Sequence, residues 1–271
     1  MKFLFLGDIV GKTAREVITQ ELPELKKKLA LDVVIVNGEN AAHGFGINAQ
    51  ICHDLYQAGV DCITTGNHVW DQREIIPYIE KDQKLLRPIN YPKGTVGQGH
   101  CFISHGKGKI LVINVMGRLF MDALDDPFRA VDEVLQKNKL GQNDLKAIIV
   151  DIHAETSSEK AAMGYFCDGR VSLVVGTHTH VPTADSRILP HGTAFQTDAG
   201  MCGPYDSVIG MDAHLATQKF VTKMPGERLR PAEGAVTLCG VLLETDDQTG
   251  LAKRVKPFRM GGVLMAQMGW L

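Results

Sequence analysis

Asp8, Glu39, Asn40, Asn67, His68, Asp151, His153, His178 and His180 share one kind of address: each lies within a few residues of the end of a short apolar run. The runs are Phe3–Leu6, Val33–Val36, Cys62–Thr65, Ala147–Val150 and Val171–Val175. Hard oxygen donors mixed with imidazoles, and no thiolate, suit manganese, iron or zinc better than calcium or a soft metal. Seven or more such ligands exceed what one ion takes, whereas two ions sharing a bridging carboxylate would use them all. Taken singly, each residue has an ordinary account. Asp8 reads as a turn former or helix cap, Glu39 and Asn40 as loop solvation, and a lone histidine as a hydrogen-bonded structural residue. His178 and His180 resist that account, because extended residues two apart point the same way. Asp151 and His153 repeat the spacing, with Asp151 read as a residue that orients a neighbour. The coincidence at five run ends carries more weight than any single residue.

Short runs rich in β-branched residues, apolar at consecutive positions, read as strands buried on both faces. Between them Ala14, Val17, Ile18, Leu22, Leu25 and Leu29 keep a helical stripe that Pro23 is expected to kink or split. Ile51, Leu55 and Ala58 mark a second helix, Pro127 to Leu135 a third, and Ser157 to Tyr165 a fourth with Ser157 as its cap. This alternation predicts a largely parallel α/β sheet, which delivers its polar residues to the carboxyl edge where ligands bind. Ala194–Thr197, Ala235–Glu244 and Ala252–Pro257 read as strands with few helices between them, and so as a second sheet stacked on the first. Segment 82–100, with Pro88 and Pro92, reads as an irregular surface connection.

The composition bounds the function. At 271 residues and 44% hydrophobic, the chain can build a substantial core. A net charge of −2 provides no basic field for gripping nucleic acid, so no stable nucleic-acid binding is expected. The six cysteines are scattered beside apolar runs without a C-x-x-C pair, and are expected to be buried thiols. Asp8 ends the first apolar run too early for a signal peptide, and no run reaches the length of a bilayer, so a cytoplasmic location without membrane contact is expected. Gly7-Asp8-Ile9-Val10-Gly11-Lys12-Thr13 has the outline of a phosphate-binding P-loop, but three residues separate its glycines where that motif needs four. Asp8 would also repel the anion.

Gly7-Asp8, Gly66-Asn67-His68, His153 and Gly176-Thr177-His178-Thr179-His180 together resemble the calcineurin-like metallophosphoesterase superfamily. Its hallmark is an ordered series of Asp, Asp, Gly-Asn-His, His and Gly-His-x-His blocks. More narrowly, Gly7–Lys12, Asn37–Gly46, Thr65–Asp71, Asp151–Lys160 and Thr197–Pro204 are similar to the bacterial YmdB-like branch, a likeness running from residue 1 to about residue 260. Val10 stands where the superfamily has the first-block histidine, and Glu39 with Asn40 beside it replaces the second-block aspartate. Both departures are those of the branch.

The resemblance implies one domain over residues 1–271, a layered α/β/β/α sandwich of the metallophosphoesterase type. It implies two divalent metal ions per chain, iron or manganese ahead of zinc. Asp8, Glu39, Asn40 and His180 would hold the first, and Glu39, Asn67, His153 and His178 the second, with Glu39 bridging. The implied activity is that of a metal-dependent phosphoric diester hydrolase acting on a small phosphodiester, a 2′,3′-cyclic or 3′,5′-cyclic nucleotide, through a metal-bridging hydroxide. His68, next to a ligand, is the expected general acid, a role that contributes ~10²–10⁴-fold. Orientation of Asn67 or a water is its structural alternative. A non-catalytic metal- or nucleotide-binding sensor needs the same ligands and is the competing function. Loop 41–46 reads as a cover for substrate or a simple turn, 197–204 has no assigned role, and Val263-Leu264-Met265 is a candidate surface for homo-oligomer formation.

Overall fold

Val33-Val34-Ile35-Val36 is β-branched throughout, which restricts its side chains in a helix, and its apolar side chains can fill both faces of a strand. All four are buried. The computed structural model describes residues 1–268. In chain order the first half contains β1 (Lys2–Leu6), β2 (Asp8–Ile9), α1 (Gly11–Leu29), β3 (Val33–Asn37), α2 (Ala49–Gln57), β4 (Cys62–Thr64), α3 (Ile76–Ile79), β5 (His100–His105), β6 (Gly108–Met116) and α4 (Pro127–Lys137). The second half contains β7 (Leu145–His153), α5 (Ser157–Cys167), β8 (Leu173–Thr177), β9 (Arg187–Ile188), β10 (Ala194–Gln196), β11 (Met201–Pro204), α6 (Ala213–Thr222), β12 (Val236–Thr245) and β13 (Ala252–Gly261).

The strands form two sheets. One runs β2-β11-β12-β1-β3-β4, with β13 on β12, and the other runs β5-β6-β7-β8-β10-β9. β1, β3 and β4 are parallel, as are β6, β7, β8 and β10. The five polar-tipped runs therefore divide between both sheets and do not form one. The C-terminal strands also differ from the sequence expectation. β12 pairs antiparallel with β1, along Lys2↔Glu244 to Leu6↔Gly240, and completes the first sheet, while β10 joins β8 in the second. Strand pairing between opposite ends of the chain leaves no local trace in the sequence.

Period-two alternation fixes the layers. Phe3, Phe5, Val33 and Ile35 from the first sheet meet Ile110, Val112, Ile149 and Val175 from the second in one inter-sheet core. Leu4, Leu6, Val34 and Val36 face outward onto Ile18, Leu22 and Leu55 of α1 and α2. Leu111, Ile113, Ile148 and Val150 do the same toward Val131 of α4 and Met163 of α5. The result is the α/β/β/α sandwich. Helix α1 runs through Pro23 unbroken, held against the sheet by Ile18, Leu22 and Leu25, which are buried on either side of it. Thr156, not Ser157, caps α5, accepting from the Glu159 amide. Segment 82–100 is irregular, but Leu85, Leu86 and Asn90 are buried, so it is not a surface strap. All six cysteines are buried and free. No described helix is long and apolar enough to cross a membrane. Val263 and Met265 are exposed and Leu264 is half-buried.

Phe5 is 1% exposed between the sheets. Phe5→Ala is expected to lower the stability of the protein by about 3–5 kcal/mol in urea unfolding; a loss under about 1 kcal/mol would contradict a close-packed inter-sheet layer.

Candidate functional site

Parallel strands from both sheets end at the same edge, and the glycines that follow or close them let the backbones meet there. A Cβ on Gly7 would stand 1.7 Å from the Gly200 carbonyl oxygen, and one on Gly176 would stand 1.8 Å from that of Thr197. At Gly66 the added carbon would meet the His153 ring at 2.2 Å and Glu39 Oε2 at 2.3 Å. The first two glycines permit backbone contact, and the third makes room for side chains.

His153, at the end of β7, is fully buried at the centre of this edge. Its Nε2 has Asn67 Oδ1 at 3.0 Å, Glu39 Oε1 at 3.1 Å and His178 Nδ1 at 3.1 Å. One ring nitrogen cannot satisfy three such neighbours, but a cation among them can. Donor atoms of Glu39, His153 and His178 lie within 4.8 Å of one another, as do those of Asp8, Glu39 and His180. Glu39 belongs to both groups. Asp8 Oδ1 and Asn40 Oδ1 are buried without a hydrogen-bond partner, a condition that costs about 1–3 kcal/mol per group and calls for an unseen ligand. Asp8 Oδ1 lies 3.9 Å from His153 Nδ1, beyond hydrogen-bond range. The donor set and its orphaned oxygens fit divalent metal ions.

The surroundings orient each imidazole. Thr177 donates its hydroxyl to Asp151 Oδ1 at 2.7 Å and sits 2.9 Å from His153 Nδ1. With its proton committed to Asp151, Thr177 accepts from His153 Nδ1–H, which points Nε2 into the site. Asp151 thus orients a neighbour, and Thr64 and Asn37 also donate to it. His180 Nδ1 donates to the Ile209 carbonyl at 2.7 Å, and Glu155 Oε2 lies 3.1 Å from His178 Nε2. Asn37, Thr177, Glu155 and Ile209 were not legible as site residues. For Thr177 and Glu155 the signal was their position beside ligands; for Ile209 there was none.

His178 and His180 come to the site by a different geometry from the extended one predicted. β8 ends at Thr177, and His178 and His180 have φ of 97° and 66°. Such conformations cost about 1–3 kcal/mol each in non-glycine residues and persist where the surroundings impose them. The bend sends His178 to the Glu39–His153 group and His180 to the Asp8–Glu39 group.

His68 sits at the rim. Its Nδ1 is 2.8 Å from Asp71 Oδ2, its backbone N–H donates to Glu39 Oε2 at 3.2 Å, and Phe45 packs edge-on against the ring with centroids 5.1 Å apart. Asp71, three residues on from His68, is a site residue that sequence reasoning missed. Loop 41–46 folds down onto the site. Asn40 Nδ2 donates to the Gly44 carbonyl and Gln72 holds that of Phe45.

The electrostatics follow from burial. Burial drives the Asp8 carboxyl up to about 6, with His180 and His153 opposing and Glu39 and Asp198 adding. Burial also works to raise Glu39, but the charge and hydrogen bond of His153, helped by His68 and His178, bring it down to about 2. His153 is penalised by burial yet raised to about 9, first by Glu39 and then by Asp8 and Asp151. His178 falls to about 3 through burial and then the neighbouring His153. Burial raises Asp151 against the pull of His153 and its three donors. Burial and mutual charge thus move five closely placed groups in opposite directions, the pattern of a site built to hold charge.

The sequence profile of the YmdB-like protein family matches residues 4–258. The chain is 46% identical to a 2′,3′-cyclic-nucleotide 2′-phosphodiesterase of Bacillus subtilis (strain 168) over 256 residues, covering 94% of this chain and 96% of that one. It is also similar to two solved structures. One, from Thermus thermophilus, superposes with a TM-score of 0.90 at 39% identity, over 97% of this chain and all of the other. The other, described as a novel phosphatase from Mycoplasma pneumoniae, gives 0.89 at 37% identity, over 96% and 93%. Both share the α/β/β/α fold described above.

Gly66→Ala would force its methyl against His153 and Glu39. The variant is expected to keep its secondary structure by circular dichroism while binding Mn²⁺ about 10–100-fold more weakly. An unchanged Mn²⁺ titration would mean that the ring and carboxylate can move aside at no cost to the site.

Proposed function

Taking as premise that the chain belongs to the YmdB-like family, we propose that it is a metal-dependent phosphodiesterase holding two divalent cations and hydrolysing cyclic nucleotides, 2′,3′-cyclic ones foremost. The observation that carries this reading is the sharing of Glu39 by two donor groups, beside orphaned oxygens on Asp8 and Asn40. The first cation would be held by Asp8, Glu39, Asn40 and His180, and the second by Glu39, Asn67, His153 and His178. This mixture of carboxylate, amide and imidazole is compatible with iron, manganese and zinc alike, and it is the family resemblance that favours iron or manganese. Two such ions, when bound, lower the pKa of water and clamp phosphoryl oxygens during in-line attack. The 3′,5′-cyclic nucleotides are the alternative substrates.

The chain's own residues supply the rest. Asp71 at 2.8 Å fixes Nδ1 of His68 as the donor to its carboxylate, and Asp71 also pairs with the imidazolium form, in which Nε2–H is the proton given to the ester oxygen that leaves, the ring returning to neutral imidazole. Phe45 and the His68–Glu39 backbone contact hold the ring at the rim, close to the shared carboxylate. From Phe45 and Asp71 a cleft of about 770 Å³ opens toward Gln218 and Lys219 of α6 and Arg228 beyond it. That volume suits a nucleotide-sized ligand, and the two cations suit its anionic charge. We assign this cleft to the part of the substrate beyond the scissile phosphate.

The test is a metal-loaded preparation given 2′,3′-cyclic AMP, 3′,5′-cyclic AMP and bis-p-nitrophenyl phosphate, with metal content measured alongside. Two metal equivalents and turnover of the 2′,3′-cyclic substrate are expected. Cation and nucleotide binding without product would instead make the chain a sensor. His68→Ala is expected to keep its metal and lose ~10²–10⁴-fold in kcat; a loss of only a few-fold would remove the acid role. Asp71→Asn leaves the ring in place but weakens its orientation, and is expected to lose about 10–100-fold. An Asp71→Asn variant with the parent's kcat would show that His68 needs no such partner.

A further inference from the structure

Lys160 and Asp198 are each about 1% exposed, and Lys160 Nζ donates to Asp198 Oδ2 at 2.7 Å. Neither can touch a substrate. A buried ion pair is often matched or bettered in stability by apolar residues of the same size, so its presence points to a need for orientation beyond packing. The surroundings show what is oriented. The same Asp198 oxygen accepts from the Thr179 hydroxyl at 2.7 Å and the Thr179 amide at 3.2 Å. Its other oxygen accepts from the Gly200 amide at 2.8 Å. Thr179 is the residue between His178 and His180, both at positive φ. The Lys160 stem runs beneath the strand end that leads into this turn, so closely that a Cβ on Gly176 would stand 2.7 Å from Lys160 Cδ. The Met201 amide and the Tyr205 hydroxyl both donate to the His180 carbonyl and brace the turn from its far side.

We propose that Lys160 and Asp198 are a positioning pair: held together in the core, they fasten Thr179 and keep His178 and His180 in the strained turn that presents both imidazoles to metal. This rests on the assignment of those histidines as ligands in the preceding section. It joins two segments, one ending α5's first turn and one preceding β11, whose shared purpose spacing alone does not reveal. Without the pair, the turn relaxes toward ordinary negative φ, and the two imidazoles lose their approach to Glu39.

The experiment measures Mn²⁺ binding to chelator-stripped protein by calorimetry, alongside the urea midpoint of the stripped protein. Lys160→Met/Asp198→Leu removes both charges but enlarges the buried side chain at 198 and leaves the Thr179 and Gly200 donors without their acceptor, so its midpoint is expected to fall while the fold is kept. Mn²⁺ binding is expected to weaken about 10–100-fold, because nothing accepts from Thr179. Thr179→Val removes only the hydroxyl link. It is expected to keep the midpoint and to weaken Mn²⁺ binding by roughly 3–10-fold, at the lower end of such effects. Parent affinity in either folded variant would overturn the proposal, as would affinities that simply track the midpoints. If the double variant does not fold, Thr179→Val decides alone. A parent that binds no Mn²⁺ would remove the ligand assignment itself and this inference with it, whereas a binding parent with equally binding variants removes only the inference.

Discussion

Two carboxylates, Asp8 and Glu39, are buried at the same edge of the sandwich, and positive charge must lie near them. Removing an ion from water without a partner costs several kcal/mol even after relaxation. The molecule meets this demand unequally. Glu39 has His153 at 3.1 Å and the His68 amide at 3.2 Å, and keeps its charge. Asp8 is buried among weaker partners, with one oxygen unpaired, and burial raises its carboxyl to about 6. The asymmetry describes a site in which protons on imidazoles only partly do the work of cations. Positive charge between the two carboxylates would settle both at once, and their separate strand ends are held close enough for that to be possible.

That closeness depends on polar bonds between the sheets at this edge. Asn37, ending β3, donates to Asp151 in β7 at 3.1 Å, and Thr64, ending β4, donates to the same carboxylate at 2.5 Å. The Thr65 amide reaches Asn114 Oδ1 of β6 at 3.1 Å. Deeper in, the sheets meet through apolar side chains, which set a spacing but impose little directional order. Directional bonds appear where direction matters, beneath the His153 ring. Asp151 is therefore a double fixture: it ties the first sheet to the second and, through Thr177, sets which His153 nitrogen looks outward.

The legible part of this protein was what local sequence encodes. Apolar runs ending in Asp8, Glu39, Asn67, His153 and His178 are strands with polar tips, because β-branched side chains and the sudden change to donors both act over a few residues. The division into two sheets is not local information: β4 ends the first sheet while β7 and β8 lie in the second, and β12 is placed by pairing with β1 from the opposite end of the chain. β6 (Gly108–Met116) was overlooked as a strand although every residue in it after Lys109 is buried. The His178–His180 spacing was noticed for a reason that does not apply, since a strained bend and not an extended strand brings them in. Asp71 stood three residues from His68 and could have been paired with it on distance in sequence. Lys160 and Asp198, 38 residues apart, could not.

His178 and His180 at positive φ and the unpaired oxygens of Asp8 and Asn40 lie at one edge, above the apolar layer between the sheets. The arrangement makes physical sense if the core stabilises a fold whose functional edge is costly by itself. Two histidines at positive φ and two orphaned oxygens subtract from stability in the absence of a ligand. A cation that binds only the folded state returns free energy by mass action, about 2.7 kcal/mol when present at a hundredfold excess over its Kd. The edge is thus held in a geometry that suits the ligand better than it suits the empty chain. Preorganisation of this kind keeps the ligands from having to rearrange on binding, and the core beneath is what makes that cost tolerable.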